Sequence, residues 1–116
     1  MPRRDDDAVA RLTVRLDGAT LWQDRPAYAE LVHRALRAGL AGASVFHDFE
    51  GSGPGGGLHH ADSAHFAPRG PCSVLIVDGE QQLREFLGTV QDVLEHARAA
   101  VSIDVVRHHS TARGRP

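Results

Sequence analysis

Leu12, Val14 and Leu16 alternate with Thr13 and Arg15, the two-residue period of a strand with one buried face. Asp17-Gly18 ends it. From Pro26 the period lengthens: Tyr28, Leu31, Val32, Ala35 and Leu36 recur at helical spacing, with Pro26 suited to the first turn and Gly39 to the position past the last. Glu30 and Arg34 stand four apart on the polar side of that helix. Ala43 to Phe49 reads as a second strand, Val45, His47 and Phe49 alternating with Ser44, Phe46 and Asp48. Ser73 to Val77 is a continuous apolar strand bounded by Asp78-Gly79. Leu83, Phe86, Leu87, Val90 and Leu94 mark a second helix, and Val101, Ile103 and Val105 alternate with Ser102 and Asp104 as a fourth strand.

The order β-α-β-β-α-β predicts an α+β, ferredoxin-like sandwich in which two helices cover one face of a four-stranded sheet. Thr13, Arg15, Ser102 and Asp104 then point to the uncovered face. The first and last strands are neighbours in this topology, so Arg15 and Asp104 are expected to pair across them. Between strands two and three, residues 51–71 carry Gly51, Gly53, Gly55, Gly56, Gly57 and Gly70 with Pro54, Pro68 and Pro71, a composition that supports no regular element. Loops beyond about 12–15 residues in compact domains are usually functional or disordered. Residues 1–9 and 110–116 are expected to be disordered, leaving one domain over residues 10–109.

With 116 residues, a formal net charge of −2 and one cysteine, the chain fits a single domain. Aromatic residues make up only 5%, so aliphatic side chains and alanine must build the core. No apolar stretch approaches the roughly 20 residues that span a bilayer, and the first residues are polar and acidic. The expected location is therefore the cytoplasm, without direct membrane insertion. Cys72 has no internal disulfide partner and reads as a buried, inert thiol. There is no Lys, and scattered arginines form no basic stripe for nucleic acid.

The run Gly39-Leu40-Ala41-Gly42-Ala43-Ser44-Val45, followed after five residues by Gly51-Ser52-Gly53, resembles the G-x-x-G-[AM]-[ST]-V…G-[FY]-G pattern of nitrogen-regulatory PII proteins and their smaller PII-like relatives, among them a bacterial domain family of unknown function. The resemblance covers about residues 10 to 109. It implies a homotrimer packed through its sheets, with residues 51–71 as the T-loop that contacts a regulated transporter, channel or enzyme. It also implies an adenine nucleotide in the clefts between subunits. Gly51 and Gly53 let backbone N–H groups approach a phosphate, and Arg107 matches the region from which PII proteins send arginines to the phosphates, a fork suited to that anion. Glu50 and His108 flank these positions and complete the candidate ligand set. The sequence departs from the pattern in two places. Ser52 replaces the aromatic between the loop glycines, and the Gly-rich loop after the third strand shrinks to Asp78-Gly79-Glu80. With fewer phosphate contacts and no Lys, the expected ligand is AMP, ADP or a cyclic nucleotide more readily than ATP.

Eight histidines are the other conspicuous feature. A second reading is a divalent-metal site like that of the related CutA trimers, using His59, His60 and His65 with Asp62 or Asp48 as an oxygen ligand. Solvated loop histidines are the plain alternative. Catalysis has the least support, and no catalytic residue is expected. Glu50, Asp48 and His47 are the acid-base candidates near the loop, but Ser52 in Gly-Ser-Gly lacks the strand-to-helix context of a nucleophile elbow.

Overall fold

The computed structural model describes residues 8–47 and 70–106. β1 (Val9–Asp17) leads through a short hairpin, β2 (Leu21–Trp22) and β3 (Arg25–Pro26), into α1 (Ala27–Arg37) and then β4 (Ala43–His47). After residues 48–69, β5 (Pro71–Gly79) is followed by α2 (Glu80–Thr89), α3 (Gln91–Ala97) and β6 (Ala100–Val105). The large sheet has the order β4-β5-β1-β6 with every neighbouring pair antiparallel. This is the expected α+β ferredoxin-like arrangement.

Alternation along β1 decides which residues meet the helices. Leu12, Val14 and Leu16 lie opposite Ile76, Val74 and Cys72 on β5, and all six are buried in one core with Leu31, Ala35, Leu83, Phe86, Val90 and Val93 from the helices. Each fully buried aliphatic side chain of this kind contributes about 1.5–3 kcal/mol. The intervening positions Arg11, Thr13 and Arg15 lie opposite Val77, Leu75 and Ser73 on the uncovered face. Phe46 and Val77 on that face are 49% and 43% exposed.

The register corrects one expected pair. Asp104 stands opposite Arg11, not Arg15, and the Arg11–Asp104 ion pair closes at 3.7 Å. Arg15 faces Ala100 across β6 and donates to the Ser73 hydroxyl at 3.5 Å on the other side.

α1 begins at Ala27, so Pro26 is its N-cap instead of a first-turn residue. It ends at Arg37 with Ala38 as its C-cap, and Gly39 follows with φ +80°, which suits a residue without Cβ. The Gly39 N–H donates to the Leu36 carbonyl at 3.0 Å and the Leu40 N–H to the Ala35 carbonyl at 3.1 Å, the two bonds of a Schellman cap. Ala27, Leu31 and Ala35 form the buried stripe, whereas Leu36, expected on that stripe, is 60% exposed.

The second predicted helix is two helices. It breaks at Val90, with φ −118° and ψ 17°. Gly88 and Thr89 precede the break, both weak helix formers, and the Thr89 hydroxyl donates to the Phe86 carbonyl at 2.7 Å. Val90 remains buried, and its carbonyl accepts from Val93 and Leu94 at 3.0 Å to start α3.

Candidate functional site

The residues singled out from the sequence, Glu50, Gly51, Gly53, Arg107 and His108, and the alternative metal ligands His59, His60 and His65, lie outside the described residues. The described chain frames them. The 48–69 segment leaves the sheet at His47, opposite Cys72 on β5, and returns at Gly70, whose carbonyl accepts from the Gly18 N–H at 2.8 Å. Gly70 has φ +89°, a second position where the backbone favours glycine. Arg15, Leu16, Asp17, Gly70 and Pro71 line a shallow cleft of about 330 Å³ beside this returning strand.

His47 sits at the outgoing foot of the segment. Its ring meets Tyr28 of α1 edge to face at 5.3 Å between centroids, and its buried Nδ1 has no hydrogen-bond partner among the described residues. Tyr28 lies close to both His47 and the buried Cys72. Burial pushes the Tyr28 phenol above its ordinary pKa, and the Cys72 thiol adds to the shift.

At the other end of the sheet, the Val106 N–H donates to the Val9 carbonyl at 2.8 Å, and Arg107 comes next in the chain. Here too is the Asp78-Gly79-Glu80 junction. β5 passes into α2 without an intervening residue, and Gly79 is the N-cap. Asp78 accepts from the Ala41 and Gly79 N–H groups at 2.7 Å, tying the α1–β4 turn to the end of β5. The Glu80 N–H is spent on the Ala8 carbonyl at 2.7 Å, and the Glu80 carboxylate accepts from Arg84 at 2.8 Å. A backbone donor that is already used, beside a carboxylate, makes a poor phosphate cradle.

A cleft that the sequence did not reveal opens on the helix side. Trp22 to Arg25 of the hairpin, Glu30, His33, Arg34 and Arg37 of α1, and Asp92 of α3 line a space of about 460 Å³. Arg34 organises its floor, donating to Glu30 at 2.7 Å, to Asp92 at 3.0 Å and to the Thr89 carbonyl at 3.4 Å, with its guanidinium 5.5 Å from the Trp22 ring centroid. The Glu30–Arg34 spacing was the one visible signal. The remaining lining residues are scattered along the chain, and two-residue strands leave no periodicity to read.

Among the described residues no group of three His, Cys, Asp or Glu side chains is placed to hold a metal ion, and no helix is long and apolar enough to cross a membrane.

The profile of the DUF190 family, described as an uncharacterized ACR, matches residues 9–107. Among solved structures, the chain is similar to CPII from Thiomonas intermedia K12, a nitrogen regulatory PII-like protein. The form bound to ADP, AMP and bicarbonate superposes with a TM-score of 0.60 at 16% identity, over 88% of this chain and 89% of that one. The apo form gives 0.56 at 14% identity, over 84% and 88%. A form bound to ADP and bicarbonate gives 0.55 at 18% identity, over 88% and 89%. At these identities the likeness establishes a common fold.

Proposed function

The chain belongs to the DUF190 family, and on that premise we propose that it is a non-enzymatic PII-like regulator that binds an adenine nucleotide between copies of itself and signals through residues 51–71. The observation that carries this reading is the fold held in common with CPII, whose structures contain ADP and AMP. The target is a transporter, channel or enzyme reached by the 51–71 segment, and the assembly is a cytoplasmic homotrimer.

The topology supports a ligand site between copies. His47 and Val106 stand at opposite ends of the sheet and on its two outer strands. Seven residues along β1, from Leu16 to Val9, and three strand spacings across put them about 27 Å apart. Glu50 and Gly51 lie at most four residues beyond His47, a reach of about 14 Å. Glu50 and Gly51 of one copy therefore meet Arg107 and His108 of another more readily than their own. The occupied donor at Glu80 and the Glu80 carboxylate favour AMP, ADP or a cyclic nucleotide over ATP.

Calorimetry with AMP, ADP, ATP and cyclic nucleotides tests the reading directly, together with light scattering. A trimer that binds one of the smaller nucleotides is expected, stabilised by about 2.7 kcal/mol at a ligand concentration one hundred times Kd. Arg107→Ala should weaken that binding at least about tenfold. A monomer at micromolar concentration, or no binding by any nucleotide, would overturn the proposal.

A further inference from the structure

We propose that the helix-side cleft between the β2–β3 hairpin and α1 is a second ligand site, distinct from the nucleotide site, and that it takes a free α-amino acid. Most charges in the cleft are already matched. Glu30 and Asp92 are both engaged by Arg34, and Arg25 joins Glu30 at 3.4 Å. Beyond these pairs the lining holds two further fixed charges of opposite sign, one on the hairpin and one on α1. Asp24 lies in the turn of the hairpin and Arg37 in the last turn of α1. Neither side chain has a hydrogen bond or ion pair among the described residues, and both line the same cleft. The Gln23 amide and the His33 ring complete the rim.

A ligand that satisfies both walls must carry an ammonium for Asp24 and a carboxylate for Arg37. An α-amino acid carries both within one small polar molecule, and the volume of about 460 Å³ admits its side chain. Phosphate fits less well, because it would leave the Asp24 carboxylate unmatched while Arg34 is already committed to Glu30 and Asp92. A metal cation fits no better, since Arg34 and Arg25 occupy the carboxylates it would need. The walls are also held in place before any ligand arrives. Arg34 is anchored by three partners, and the hairpin is fastened to α3 by His96, whose Nε2 lies 2.8 Å from the Leu21 carbonyl and whose ring meets Trp22 edge to face at 5.4 Å.

Trp22 is the chain's one tryptophan and lines the cleft, so its fluorescence reports occupancy. The full chain is titrated with each of the common amino acids, and then with the N-acetyl and carboxamide forms of any that bind. A saturable change in Trp22 emission is expected for at least one free amino acid, weakened about tenfold or more when either end is blocked. Asp24→Asn and Arg37→Gln should each produce a similar loss while leaving circular dichroism and nucleotide binding unchanged, which separates this site from the nucleotide proposal. No saturation up to about 10 mM, equal binding of the blocked forms, variants that bind as well as the parent, or saturation by inorganic phosphate in place of amino acids would each overturn it.

Discussion

Arg34 does more than any other single side chain to join separate parts of this molecule. Its guanidinium binds a carboxylate on its own helix and one on α3 while lying against Trp22. The Arg34 hydrogen bond holds the Glu30 carboxyl below its ordinary pKa of 4.5, outweighing the upward push of burial. Arg34 lowers Asp92 in the same way. A carboxyl depressed on folding contributes stability above its unfolded pKa, and that contribution is lost as pH falls through the folded value. Glu30→Gln is therefore expected to lower stability by about 1 kcal/mol at pH 7, or about 4 °C in Tm. In thermal melts across pH, the gap between the variant and the parent should narrow steadily below pH 4.5. A gap independent of pH would show that Glu30 acts by packing and not by charge.

At the scale of elements, the interruption between α2 and α3 is a weak point that can be strengthened. Gly88 lies in the last turns of α2, and a Cβ there would meet nothing within 4 Å. Gly88→Ala should raise stability by about 0.5–1 kcal/mol, read from chemical denaturation. A loss would mean that the break requires glycine. The elements that the sequence disclosed are those long enough to repeat a period: β1, α1, β5 and β6 each show three or more apolar positions in phase. The hairpin does not, because Leu21–Trp22 and Arg25–Pro26 are shorter than one repeat. The break at Val90 was hidden since the apolar stripe continues through it, Val90 and Leu94 staying buried while the backbone changes direction. Leu36 misled for the converse reason: it is in phase with the stripe, but the core is filled by Leu31 and Ala35. Alternation assigned Arg15 and Asp104 to the correct face, yet their partners depend on register, which no single strand contains. The candidate ligand residues lie in segments whose geometry the fold frames only at its ends, and the helix-side cleft draws on three separated stretches of chain.

For the whole molecule, the central question is what covers the second face of the sheet. Phe46, Leu75 and Val77 form its apolar part, bordered by the Arg11–Asp104 pair and by Arg15 with Ser73. In the proposed assembly other copies cover this face. Val77→Glu places a charge there on a side chain that is already 43% exposed in one copy, so the subunit should keep its circular dichroism while light scattering falls to the monomer mass. A variant that remains fully assembled would show that Val77 lies outside the contact.

The position of β1 in the sheet also bears on how the protein is made. β1 lies between β5 and β6, so both of its edges are completed only by strands made later. Ala10 must wait for Val105. Contacts so distant in sequence form slowly, and during translation at about 5–20 residues per second the edge of β1 that takes β6 stands open until β6 has cleared the ribosome. A nascent chain stalled before Ala100 would present one unpaired edge of β1, backed by Leu12, Val14 and Leu16, to its neighbours on the same message.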